Sequence, residues 1–113
     1  MQTCYDLVWL SAQRAPNNLA IVDDLSDRAL TYQELIEEID VVAAGLKDRG
    51  VKSGMRIATV LPSLFDHAIA LLALQRLAAI PALINFRLKP EEVGKLIKLG
   101  EIEGAIILPD KSL

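Results

Sequence analysis

Cysteine is almost absent: Cys4 is the only one in 113 residues. An internal disulfide and a multi-thiolate metal site within one chain are therefore excluded, and a reducing, cytoplasmic setting is expected. Positive charge is not in excess either. Twelve Lys and Arg stand against fifteen Asp and Glu, a net charge of −3. Such a chain has no electrostatic footprint for nucleic acid or for an anionic membrane surface. The opening Met1-Gln-Thr-Cys-Tyr-Asp6 lacks the basic stretch of a signal peptide. The longest apolar run, 68–84, is interrupted by Gln75, Arg76 and Pro81. A spanning helix needs about 20 predominantly apolar residues, so no membrane span is expected. Neither Gly-x-x-x-x-Gly-Lys-Ser/Thr nor Gly-x-Gly-x-x-Gly occurs, and no phosphate-cradling loop of those kinds is encoded. Internal repeats, low-complexity tracts and linkers are missing as well.

What is present is apolar surface. Hydrophobic residues make up 52% before the six glycines are added, above the usual level of about 45–50% that includes Gly. Strands buried on both faces, or a surface that expects a partner, follow from that excess. With 24% charged residues the chain is not disordered. Its length suits one domain or part of a larger one.

The pattern along the chain alternates. Thr3-x-x-Asp6 is a capping box, and the helix it opens, carrying Leu7, Val8, Trp9, Leu10 and Ala15, must stop before Pro16. Leu19–Val22 and Arg28–Leu30 read as two short strands around a polar loop, an edge hairpin. Thr31-x-x-Glu34 opens a second helix. Leu35, Ile39, Val42 and Leu46, with Ile36 and Ala43, form one helical stripe, and Gly50 closes it. Ile57–Leu61 is a near-continuous apolar run, as in a parallel strand covered on both sides. Ser63-x-x-Asp66 is a third capping box, opening a helix to about Ala78. Ile80–Ile84 reads as a buried strand with Pro81 near its start. Pro90 begins a helix whose buried face is Val93, Leu96 and Ile97 and whose end is Gly100. Ala105–Leu108 is a last strand. The expected fold class is α/β: a three-layer, mostly parallel sheet with helices on both faces, built on a βαβαβ unit with right-handed crossovers, plus the N-terminal helix and the edge hairpin.

Ligands of open parallel sheets sit beyond the carboxyl ends of the strands, here Pro62-Ser63, Asn85-Phe86-Arg87 and Pro109-Asp110. Ser63 lacks a Gly-x-Ser-x-Gly elbow and is expected to cap a helix. His67, the only histidine, has no third group to orient it as a base. Cys4 is read as an ordinary thiol. Asp23, Asp24 and Asp27 lack the spacing of a calcium loop and read as a solvated turn. Arg87 either meets a ligand phosphate or covers a neighbouring helix with its stem.

Taken in order, Leu30-Thr31-Tyr32-x-Glu34-Leu35, Leu46-x-x-Arg49-Gly50-Val51-x-x-Gly54, Leu61-Pro62, Ala73-Leu74, Pro81-Ala-Leu-Ile-Asn85-Phe-Arg87-Leu88-x-Pro90-Glu91-Glu92 and Gly104-Ala-Ile-Ile-Leu108 resemble the opening of the acyl-CoA synthetases. Those are ATP-dependent, adenylate-forming (AMP-binding) enzymes. The family usually has an acid at Met55, a Gly at Ala78 and a second Pro at Leu83. The resemblance implies that residues 1–113 are a single partial domain, the N-terminal subdomain of a larger enzyme. That enzyme would activate a carboxylate as an acyl-adenylate and pass it to CoA. The form Ala82-Leu-Ile-Asn85 is closer to fatty-acyl or carnitine-type CoA ligases than to luciferases or peptide-synthetase modules, and implies a fatty-acyl type first. ATP, Mg²⁺ and CoA are implied for the whole enzyme and none for this piece, which has no catalytic residue of its own and is expected to be inactive. Asn85, Phe86 and Arg87 are carried over as contacts to the CoA nucleotide. The implied partner is the remainder of the same enzyme, with self-association through exposed apolar surface as a second outcome. The other reading is a freestanding interaction module or half of a split enzyme.

Overall fold

The computed structural model describes residues 3–23, 27–61, 63–84 and 89–107. Among them the order is α1 (Cys4–Arg14), β1 (Leu19–Asp23), β2 (Arg28–Thr31), α2 (Tyr32–Asp48), β3 (Arg56–Val60), α3 (Leu64–Arg76), β4 (Ile80–Leu83), α4 (Pro90–Leu99) and β5 (Gly104–Ile107).

Local chemistry sets the helix ends. At α1 the Asp6 N–H donates to Thr3 Oγ1 at 3.2 Å, and the Asp6 carboxylate accepts from the Thr3 N–H at 3.0 Å. Thr31 and Glu34 repeat this reciprocal box at α2 with the same two distances. The third box is only half made. Ser63 Oγ accepts from the Phe65 and Asp66 amides at 3.1 and 3.4 Å, while the Asp66 carboxylate turns to Arg28 of β2, 3.4 Å away. Packing between elements took the acid that the sequence pattern assigned to the cap.

Three helices end in the same turn, with a left-handed residue just beyond the cap. After α2 that residue is Gly50 at φ +97°, and Val51 N–H reaches back to the Leu46 carbonyl at 3.1 Å. After α3 it is Ala78 at φ +58°, and Ala79 N–H bonds the Leu74 carbonyl at 2.9 Å. After α4 it is Glu101 at φ +52°, with Ile102 N–H on the Ile97 carbonyl at 3.0 Å. Gly100, expected to end α4, is its cap, with φ −86°. A Cβ there would lie 3.2 Å from the Leu96 carbonyl oxygen and 3.3 Å from Ile102 Cδ1.

β3, β4 and β5 form a parallel sheet in the order β4-β3-β5, the expected βαβαβ unit. Ile57 and Thr59 share one face of it; Arg56, Ala58 and Val60 share the other. α3 covers the first face, where Ile57 packs with Leu74 and Ala79. The chain then recrosses β3 in the opposite direction, so a right-handed crossover carries α4 to the second face. The β1–β2 pair is antiparallel and, among the described residues, stands as a separate two-stranded sheet rather than as an edge of the parallel one. A cluster of Tyr5, Leu35, Ile39, Phe65, Ile69 and Leu72 fills the space between α1, α2 and α3, with Ala20, Ile21 and Leu30 of the hairpin packed against it.

Three expectations shift. Within α1 the packed residues are Tyr5, Val8 and Ala12, whereas Leu7, Trp9 and Leu10 are exposed. Among the described residues β4 is an edge strand with Ile80 and Leu83 exposed, and β3 alone of the two has the two-sided burial expected of both. α4 buries none of its residues, although Val93, Leu96 and Ile97 were expected to form a buried face. No helix among the described residues is long and apolar enough to cross a membrane.

Candidate functional site

The carboxyl edge of the parallel sheet is where the central strand gives way to α3, and it is organised around two side chains. Thr59 is fully buried near the end of β3. Its Oγ1 lies 3.0 Å from His67 Nδ1, and the Leu61 N–H donates to His67 Nε2 at 3.3 Å. A backbone amide can only donate, so Nε2 is an acceptor and, in the neutral ring, the proton sits on Nδ1 and is donated to Thr59 Oγ1. With both ring nitrogens engaged, His67 has no free position from which to activate a nucleophile. Ser63 is likewise committed to two amides as the cap of α3. A serine–histidine catalytic pair is therefore not built here.

Beside the bracket, the Arg28 guanidinium lies over the Phe65 ring, 4.3 Å from its centroid, and pairs with Asp66. It joins the hairpin to the start of α3. At the neighbouring strand end, Ile84 N–H bonds the Thr59 carbonyl at 3.0 Å and Ile84 is buried. The segment Asn85-Phe86-Arg87 that follows lies outside the described residues, as do Pro62, Asp24, Leu108, Pro109 and Asp110. Cys4 is exposed. Among the described residues no three His, Cys, Asp or Glu side chains come together to hold a metal ion. The described residues thus do not form a site for Mg²⁺.

The strand and helix signals led to this edge, but the Thr59–His67 bracket was missed. His67 lies one helical turn into α3, and nothing local in the sequence says that its ring folds back onto the preceding strand. A cleft of about 380 Å³ lies at the opposite, amino end of the sheet, between the end of α2 and β5, with Leu46, Met55 and Ile106 inside and Arg49 and Glu103 among its polar walls.

Comparison with known proteins places these elements. Residues 8–112 match the family described as AMP-binding enzyme. A 4-chlorobenzoate–CoA ligase from an Arthrobacter species is 45% identical over 106 residues, covering 94% of this chain and 20% of that enzyme. An acetyl-coenzyme A synthetase from a gamma-proteobacterium is 35% identical over 82 residues, covering 69% and 13%. Among solved structures, the Klebsiella oxytoca NpsA N-terminal subdomain superposes with a TM-score of 0.84 at 24% identity, over 94% of this chain and 27% of that one. The N-terminal domain of FACL13 from Mycobacterium tuberculosis gives 0.85 at 22% identity, over 93% and 26%. These two share the fold. The chain spans about a fifth of the length of its curated 4-chlorobenzoate–CoA ligase relatives. The ordered landmarks from Leu30 to Ile107, the parallel sheet that holds them and the match over 8–112 lead to one conclusion: the chain belongs to the AMP-binding enzyme family.

Proposed function

We propose that residues 1–113 form the N-terminal part of an ATP-dependent acid–thiol ligase, which activates a carboxylate as its adenylate and transfers the acyl group to CoA. The observation that carries this reading is the 45% identity, over nearly the whole chain, to a 4-chlorobenzoate–CoA ligase. On substrate class, that relative favours an aryl carboxylate over the fatty acid implied by Ala82-Leu-Ile-Asn85. ATP, Mg²⁺ and CoA belong to the whole enzyme in this reading, and its setting is the cytoplasm. The contribution of the present residues is a folded platform: β3 and β4 run parallel and end side by side at the carboxyl edge.

A chimera tests it. Residues 8–112 replace the matching fifth of the Arthrobacter enzyme, and CoA thioester formation is followed with 4-chlorobenzoate and with a long-chain fatty acid. Retained ligase activity supports the reading, and the preferred acid separates the two substrate classes. A folded chimera without activity argues against it. The chain alone should give no carboxylate-dependent exchange of pyrophosphate into ATP. Asn85, Phe86 and Arg87 are proposed as CoA nucleotide contacts, so Arg87→Ala in the chimera should raise KM for CoA about tenfold, the loss of one charge-assisted contact, with KM for ATP unchanged.

A second reading, a freestanding interaction module, draws on one feature: α4 leaves Leu96 and Leu99 exposed. Size-exclusion chromatography separates the two. A concentration-independent monomer speaks against a required partner, and a defined oligomer speaks for one.

A further inference from the structure

We infer that α1 is a hinged strap: Gln75 and Arg76 of α3 latch its first turn, it pivots at Ala15–Pro16, and it opens as a unit while the rest of the fold stays closed.

The latch accounts for the two polar residues that interrupt the longest apolar run of the sequence. Gln75 and Arg76 lie in the last turn of α3, and both reach the start of α1. Tyr5 N–H donates to Gln75 Oε1 at 3.0 Å, and the Arg76 guanidinium donates to the Tyr5 hydroxyl at 2.7 Å. The same guanidinium pairs with Asp40 of α2 at 3.2 Å and lies 5.5 Å from the centroid of the Tyr5 ring. Tyr5 is buried against Leu35, Ile39, Phe65, Ile69 and Leu72, so one residue carries the polar and the large apolar anchor together. Further along α1 the inward residues shrink to Val8 and Ala12, and the outward Leu7, Trp9 and Leu10 are exposed. Hydrophobic stabilisation follows the apolar area removed from water, so α1 is held chiefly at its Tyr5 end. The charged part of the latch is open to water, with Arg76 and Asp40 side chains 44% and 47% exposed, and such pairs are weak.

The other end is a pivot. Ala15, at φ −144° and ψ 65°, leaves the helix just before Pro16. Beyond it the chain is pinned to the start of α2: Gln33 N–H donates to the Pro16 carbonyl and Tyr32 N–H to the Asn18 carbonyl, each at 3.0 Å. Rotation at Ala15 swings α1 away and leaves those two bonds in place.

Native-state hydrogen exchange on the 113-residue protein, with neither ATP nor CoA present, tests the strap. The amides from Val8 to Arg14, bonded within α1, should exchange through a partial opening, faster than those of Ile39 and Leu72. Tyr5→Phe removes the hydroxyl and keeps the ring, and Arg76→Gln removes the charge. Each should speed α1 exchange about tenfold, the loss of one charge-assisted bond, while the Ile39, Leu72, Tyr32 and Gln33 amides hold their rates. The double variant should gain less than the product of the two effects, because the substitutions share one bond. If Arg76→Gln does not fold, the milder Tyr5→Phe decides. Exchange of α1 at the rate of Ile39 and Leu72 in the unsubstituted protein overturns the inference. So do variants that leave α1 unchanged, variants that speed every amide alike, and a loss of Tyr32 and Gln33 protection together with α1.

Discussion

The two faces of the parallel sheet carry helices made by the same local rules and packed to different degrees. On one face, α3 locks against α2 and α1, Ile39 and Leu74 are fully buried, and two apolar clusters meet. On the other, α4 has a proline at its first position, acids in its first turn and an amphipathic pattern, yet none of its residues is buried and Leu99 is 82% exposed. Just past the end of α4, Arg56 of β3 donates to the Gly100 carbonyl at 3.1 Å and pairs with Glu101 at 3.5 Å. Helix signals therefore decide that a helix forms, while burial depends on what else is available to pack against it.

The largest expected effect tests that contrast directly. Ile39→Ala removes a fully buried side chain and should lower stability in urea unfolding by about 2–5 kcal/mol, whereas Leu96→Ala, on a 43% exposed residue, should change it by less than about 0.5 kcal/mol. Equal losses would break the comparison. In the chimera described above, Leu96→Ala should become much more costly if the segments supplied by the Arthrobacter enzyme cover α4.

A smaller effect concerns the helix ends. α2 closes on Gly50 and α3 on Ala78, both left-handed, but a Cβ in that region costs roughly 1–2 kcal/mol. Ala78→Gly should raise the urea midpoint by the equivalent of about 1 kcal/mol, since Ala78 is exposed and no packing is lost. No gain would mean that the turn relaxes around alanine. The smallest effect belongs to Arg28. Its ion pair with Asp66 joins side chains 46% and 37% exposed, and such pairs contribute about 0–1 kcal/mol. Arg28→Lys should cost a few tenths of a kcal/mol, mostly from the lost stacking on Phe65, and thermal unfolding in low and high salt should separate the stacking from the charge.

Much of the fold was legible because it rests on short-range chemistry. The Thr3–Asp6 and Thr31–Glu34 boxes, the stripe through Leu35, Ile39 and Ala43, and Pro90 at the start of a helix each involve residues within one or two turns of one another. The errors lie where two distant segments compete for one group. Asp66 was read as a cap and serves Arg28, 38 positions away. Gly100 was read as the end of α4 and is its cap, while the left-handed residue that completes the turn is Glu101. Ser63 as a cap was readable, while His67 as a bracket was not.

The sequence by itself determined the order of the elements, their caps, the α/β class and the family landmarks, since periodicity and spacing along the chain encode all of these. Only the tertiary structure decided which apolar faces are covered, that the hairpin stands apart from the parallel sheet, and which tautomer His67 adopts. Those depend on partners far away in sequence, and a linear pattern states what a residue can do without stating what it will meet.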